Sequence, residues 1–557
     1  MAVSTGRKYR AVKRTLRSGF TILTGYSPFV PTHLVIAPPD LKTADSSLVE
    51  EYYNGRYTLA GKLVETKGVD PFTLRNSDAG WLQELNNFGW LRNLSKNSDQ
   101  LSSNHAKAMV RDWMELDKTT SGKTIWEIEV ASKRLIAWLQ HSILILAAPD
   151  HTFHQDFMHS LGTHARFLKR YAANATEGCP KLLAYLALAY ASICFSGHAS
   201  SLKFARDKLD QELDLQIFAD GSHSSRNPEA IVSILSYLLP YRQACIAAGI
   251  APSKAVISSS ERMLLALRFF RLGDGGLARF NGSGVTRSDL VATLLRYDES
   301  AILEPNNSST GGYERLQSGD TILMMDSGHP PKGELSTLAH AGCLSFEFSS
   351  GNECFVVNSG APPYHGEGLP ALWRSTAAHS TAVIYETSSC KFENSGQSNN
   401  LLDGEMFSGS LKTESSRTED SQQETVIAHH HGYVREFGAR HQRTITLYKE
   451  APRIEGNDWF SGPDKGDLYY TTKDATTLHF HLHPGIEPQI EEDGTAVILQ
   501  SRSGRTWRFS CDEVKPVIEE SVYFASLSGR SKTKQITLRF HACKLAEINW
   551  SFTAINS

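Results

Sequence analysis

Residues 340–360 read HAGCLSFEFSSGNECFVVNSG. Leu344, Phe346 and Phe348 alternate with Ser345 and Glu347, the period of a strand with one buried face, and residues 349–352 supply a turn. The stretch therefore reads as a hairpin, with His340 at the edge of the first strand and Asn358, Ser359 and Gly360 ending the second. A further strand starts at His379 in AAHSTAVIY and brings a second imidazole toward the first. Two histidines and an asparagine at strand ends suit a metal site or proton transfer. They equally suit hydrogen-bonded histidines with neither role.

Short alternating runs continue after about residue 310, at 321–325, 381–385, 443–448, 478–483, 505–510 and 535–540, and imply antiparallel strands in a large sandwich. Before it, residues 80–272 carry a helical period. Trp126, Val130, Leu135, Trp138 and Leu139 share one side of a segment, residues 181–195 are almost wholly apolar, and residues 228–248 start with Pro228 behind Asn227. The join falls at 275–312, and the polar run 388–423 reads as a long loop. The expected domains are 1–80, a basic N-terminal arm and lead-in; 81–300, helical hairpins; and 301–557, the sandwich.

At 557 residues the chain exceeds one hydrophobic core, and a formal charge of -3 with 40% hydrophobic residues gives no sign of a nucleic-acid-binding protein. Its 8 cysteines are scattered, without a CxxC pair, and read as buried thiols. No apolar run reaches the ~20 residues of a membrane span. The basic start, Arg7 to Arg17, lacks the apolar core of a signal peptide, so the expected location is cytoplasmic, with periplasmic the alternative.

Asp220, Gly221, Ser222, His223, Ser224, Ser225, Arg226, Asn227 and Pro228 form a second polar constellation, placing a titratable ring and a cation before a helix start, where anions are favoured. Simple capping by Ser225 or Asn227 is the competing reading. Arg374 and Tyr313 are further cleft candidates. His479, His481 and His483 alternate along a strand as a metal ladder or a stack of neutral rings, while His429, His430 and His431 spread over both faces. Nucleotide-loop, HExxH and GxSxG motifs are absent.

Helices followed by a sandwich, with Gly55-Arg56-Tyr57, Phe88-Gly89-Trp90-Leu91-Arg92, Asp220-Gly221, LRFFRLGD at 267–274, the His340 strand and His481-Leu482-His483-Pro484, resemble a bacterial branch of the heparinase II/III-like polysaccharide lyase superfamily. The resemblance implies an incomplete α/α toroid of helical hairpins followed by an antiparallel β-sandwich. It also implies β-elimination on an anionic, uronate-containing polysaccharide or oligosaccharide. Such chemistry needs a group to neutralise the uronate carboxylate, a base for the C5 proton and an acid for the leaving oxygen. By resemblance, His223, Arg226, His340 and Tyr313 are the catalytic candidates, and Arg374, Asn227 and Tyr241 the substrate-binding ones.

No cofactor is required, and a structural zinc, where members carry one, would fall on His340, Asn358 and His379. The departures lie at these positions. The lyases' His-x-His-x-Asp pattern is Leu338, Ala339, His340, Ala341 and Gly342 here, Ala230 stands where they tend to place a tyrosine, and Asn358 replaces a carboxylate ligand. The alternatives are a catalytically degenerate glycan-binding or scaffold protein in envelope or exopolysaccharide biogenesis, and a glycoside hydrolase using Asp220 and Asp274.

Overall fold

The computed structural model describes residues 30–556 apart from 75–77, 98, 120–124, 198, 298–308, 364–370, 393–405, 408–411, 463–474 and 528. The basic start, residues 306–308 of the expected join and much of the polar run at 388–423 lie outside the described residues. The chain divides into two compact units, Met1–Asp214 with Ser236–Ile257, and Leu215–Leu235 with Ser258–Ser557.

The first unit is built of helices. Ile128–Gln140 buries Leu135, Trp138 and Leu139, and packs against Ala79–Asn87, His151–Tyr171 and Cys179–Cys194. Cys179–Cys194 is buried along nearly all its length, as its uniform apolarity requires, and has Pro180 in its first turn. Arg134 is fully buried among these helices. Its nitrogens donate to His164 Nε2, Asn86 O and Ile125 O, and its guanidinium lies 4.0 Å over Trp113. Each of its three nitrogens thus donates to a neutral acceptor, and burial lowers its pKa to about 9. Among the described residues, Pro228–Ala247 is long and apolar enough to cross a membrane, but 67% of its apolar window is buried.

The second unit is mostly antiparallel sheet. A five-stranded sheet runs in chain order through Ser309–Thr310, Tyr313–Ser318, Thr321–Asp326, Phe346–Ser350 and Glu353–Val356. An eight-stranded sheet runs from Thr413–Glu419 to Ile486–Ile490, and a four-stranded one joins Val517–Tyr523, Ser531–Phe540, Thr476–His481 and Ala382–Ile384. Phe346, Phe348, Phe480, Phe509, Trp550 and Phe552 interlock in the core between them. The polar run contributes a strand, Thr413–Glu419, paired in register with Gln423–Tyr433.

The hairpin at 340–360 forms, but its first strand is Phe346–Ser350 rather than 344–348. Leu344 is the reason. It takes φ +61°, its N–H donates to Asp326 O, and the chain turns once more before the strand. His340 therefore lies in a loop preceding the strand and not at its edge. His379 likewise follows a 3-10 turn, Thr376–Ala378, and precedes the strand Ala382–Ile384.

Candidate functional site

His340 and His379 do come together, through a chain of hydrogen bonds whose two ends fix every proton. Gly282 N–H donates to His340 Nε2 at 2.9 Å, His340 Nδ1 meets His379 Nε2 at 2.8 Å, and His379 Nδ1 meets Ser375 O at 2.7 Å. A backbone N–H can only donate and a carbonyl can only accept. Both rings are thus neutral, each protonated at Nδ1. Burial holds the His379 pKa down at about 4.

The third expected ligand is also engaged, since Asn358 Oδ1 accepts from Ser380 N–H at 3.0 Å and its amide donates to Arg279 O. In this arrangement the ring lone pairs face N–H donors, so the three residues do not fit a zinc ion as they stand. Arg374, nominated for substrate, is 2% exposed. It instead donates to Ala339 O and Ser336 O and receives Ala341 N–H at its own carbonyl, clamping the loop that carries His340.

The second constellation is built around Asp220. One of its carboxylate oxygens accepts from the Ser222 N–H and hydroxyl, and the other accepts from Gly311 N–H at 2.7 Å. Gly221 takes φ +83°, and a Cβ there would lie 2.0 Å from Arg262 O, so only glycine makes this turn. His223 is held on both sides, its Nε2 3.0 Å from Gln216 Oε1 and its Nδ1 accepting from Ser225 N–H, and burial lowers its pKa to about 4.

Arg226, at φ +56°, sends its donors to Gly311 O, Gly312 O, His329 O and, at 2.6 Å, Asp326 Oδ1. Burial works against its charge, but the Asp326 carboxylate outweighs that and raises its pKa. Tyr313 lies under the guanidinium, donates its hydroxyl to Arg226 O at 2.7 Å and receives the Asn281 amide. Burial pushes its pKa up against the opposing Arg226 charge. Asn227 caps Pro228–Ala247 by accepting Glu229 N–H, as the simple capping reading expects. Tyr241 belongs to the other unit, is 2% exposed, and packs edge-on against Tyr190.

Asn281 joins the two constellations, because its Oδ1 accepts His340 N–H while its amide donates to Tyr313. Sequence reasoning passed over it, together with Asp326, the buried Arg279–Glu347 pair and the Arg443–Asp458 pair. The available signal was the Asn-Gly-Ser-Gly run at 281–284, since asparagine tolerates the φ of +47° found there. Asp458 accepts from Arg443 Nε and Nη2, from Trp550 Nε1 and from His441 Nε2, and His441 Nδ1 faces His430 Nε2 at 3.3 Å. Arg443 Nη1 then donates to Leu344 O and Ser380 O, tying both histidine-bearing loops to the sandwich. His479 and His481 stack at 5.9 Å, and burial pulls both below the usual imidazole range. His481 bonds to Ala377 O and Ser521 Oγ, and His479 to Gln535 Oε1.

Residues 304–551 match the family profile described as Heparinase II/III-like, C-terminal. Those residues are therefore a heparinase II/III-like C-terminal domain. Heparan sulfate lyase HepC of Pedobacter heparinus, in a mutant form, superposes with TM-score 0.63 at 15% identity over 99% of this chain and 87% of that one. Heparinase III gives TM-score 0.69 at 14% identity over 89% of this chain and 80% of that one. These likenesses carry the fold, an α/α toroid of helices followed by an antiparallel β-sandwich. The FtsZ-localized protein C of Caulobacter vibrioides (strain NA1000 / CB15N) is 26% identical over 533 residues, 94% of this chain and 90% of that protein.

Against the heparinase II/III-like pattern, Leu338 is 43% exposed where a histidine is expected. At Gly342, where an aspartate is expected, a Cβ would sit 2.6 Å from His379 Cδ2. The packing of His379 therefore requires the glycine.

Proposed function

We propose that this chain is a catalytically degenerate, glycan-binding or scaffold member of the lyase fold, acting in envelope or exopolysaccharide biogenesis, that does not run β-elimination. The observation that carries the reading is the closed chain Gly282, His340, His379, Ser375, which leaves His340 Nε2 occupied by a backbone N–H. The other candidates point the same way. Tyr313 spends its proton on Arg226 O, and Arg226 spends its charge on Asp326, so neither a base nor a carboxylate-neutralising cation is presented by them. A relative named for its localisation with FtsZ, matched over most of both chains, supports a scaffold role over a degradative one.

The second reading is a lyase cleaving an anionic, uronate-containing polysaccharide by β-elimination, which the heparinase-like match across 304–551 favours. Incubation with a panel of uronate polymers separates the two through the ultraviolet absorbance of the unsaturated product. The binding reading predicts no product above buffer with folded protein. Product that disappears in His340→Ala would overturn it and establish the lyase.

A further inference from the structure

Among the described residues, Arg134, Arg226, Arg279, Arg374, Arg440 and Arg443 are buried, and all but Arg440 donate to two or more acceptors of this chain. Arg440 is 5% exposed, yet its one hydrogen bond runs from Nη2 to Gln442 Oε1 at 3.1 Å. Its Nε is buried with no acceptor, and Nη1 is unbonded but not enclosed. Among the described residues no carboxylate forms an ion pair with it. Burial lowers its pKa, and Glu414, which opposes that shift, is 76% exposed and faces His429 at 3.8 Å. A guanidinium taken out of water without a counter-charge is costly, and an orphaned buried donor of this kind marks the place of an absent anion.

The neighbours of Arg440 show which anion suits it. Arg440 and Gln442 alternate along Ala439–Tyr448 and share a face, and Trp459 of Arg453–Ser461 pairs directly with Gln442 on that face. Ile445, Leu447 and Phe460 point the other way, into the core, as does Arg443, whose bonds hold the His340 and His379 loops. The cluster is therefore separate from that constellation. The Arg440 guanidinium lies 5.4 Å over the half-buried Trp459 ring. With Gln442 Oε1 taken, the amide offers only its N–H groups, and the Trp459 indole N–H has no acceptor among the described residues. Every group that these three side chains leave open is a donor. A neutral polyol asks for donors and acceptors alike, whereas an oxyanion asks for donors alone, and the indole adds an apolar surface for a sugar ring. We propose that Arg440, Gln442 and Trp459 form a second ligand site, on the outward face of the eight-stranded sheet, for the carboxylate or sulfate of an acidic sugar. This goes beyond the reading of the His340 loops and does not depend on it.

The test is calorimetry of the full chain with hexasaccharides of hyaluronan, chondroitin sulfate and neutral N-acetylglucosamine, and with sodium acetate and sodium sulfate alone. Wild type, Arg440→Gln and Trp459→Ala are compared, with thermal melting of each. The proposal predicts that wild type binds an acidic hexasaccharide about tenfold or more tighter than the neutral one and the free ions, and that both variants lose this preference. It also predicts that R440Q without ligand melts no lower than wild type, because the charge it removes has no partner in the chain. Equal binding of acidic and neutral hexasaccharides by wild type overturns the site whatever the variants do, and so does a preference retained in either folded variant. A lower melting temperature or a failure to fold in R440Q shows that the chain already satisfies the guanidinium and overturns it too. Acetate or sulfate binding as tightly as the hexasaccharides overturns the sugar assignment and leaves a simple oxyanion site.

Discussion

Asp458 has no exposed surface, yet its carboxylate stays below the usual pKa range, because Arg443 and His441 together outweigh the burial that pushes it up. Removing that charge alone leaves Arg443 buried and uncompensated. Asp458→Asn should therefore cost about 3–5 kcal/mol in chemical denaturation, and a loss under 1 kcal/mol would show the pair to be incidental. His379 and His223 give a pH signature. Their folded values of about 4 lie below the roughly 6.5 of an unfolded histidine, so the unfolded chain takes up protons that the native chain does not. Their contribution is complete above about pH 6.5, falls as pH drops toward 4 and flattens below it. Urea midpoints across that window should follow this course, with a shallower slope in His379→Gln; an identical slope in that variant refutes the assignment. Arg226 illustrates what the sequence showed at this scale. A fixed cation before a helix was plain, but its partner Asp326 lies 100 residues away, and nothing local in either segment announces the pairing.

Within single elements, periodicity performed well where one face decides the structure and less well where both faces are buried. The alternation at 535–540 located the second half of the strand Ser531–Phe540, whereas Phe346–Ser350 is buried on both faces and its start was misplaced. Leu344 shifted that start by taking a left-handed φ that a leucine rarely adopts, held there by Arg443 and Asp326 from distant strands. In the strand Arg453–Ser461, Gly456 faces the ring of Trp550, and a Cβ would lie 2.0 Å from Trp550 Cζ2. Gly456→Ala should displace that indole and with it the Trp550–Asp458 bond, costing about 2–3 kcal/mol with an altered near-ultraviolet spectrum. A spectrum and stability like wild type would mean that the strand yields more easily than its packing implies.

For the whole molecule, the order of helices before strands and the glycine-rich breaks carried the fold, since both are properties of long stretches of sequence. The site was only half legible. The residues that meet around His340 were largely quoted, but their roles depend on which lone pairs are taken, and that is decided by backbone groups at Gly282 and Ser375 that no side-chain motif encodes. The chemistry open to the site therefore turns on the protonation of a single ring. Nitrogen-15 NMR of histidine-labelled protein near neutral pH, with His340→Gln used to assign the signal, reads it directly. A neutral His340 ring protonated at Nδ1, with Nε2 accepting a hydrogen bond, is the predicted result; an imidazolium, an Nε2-protonated ring or a metal-shifted nitrogen at His340 would contradict it.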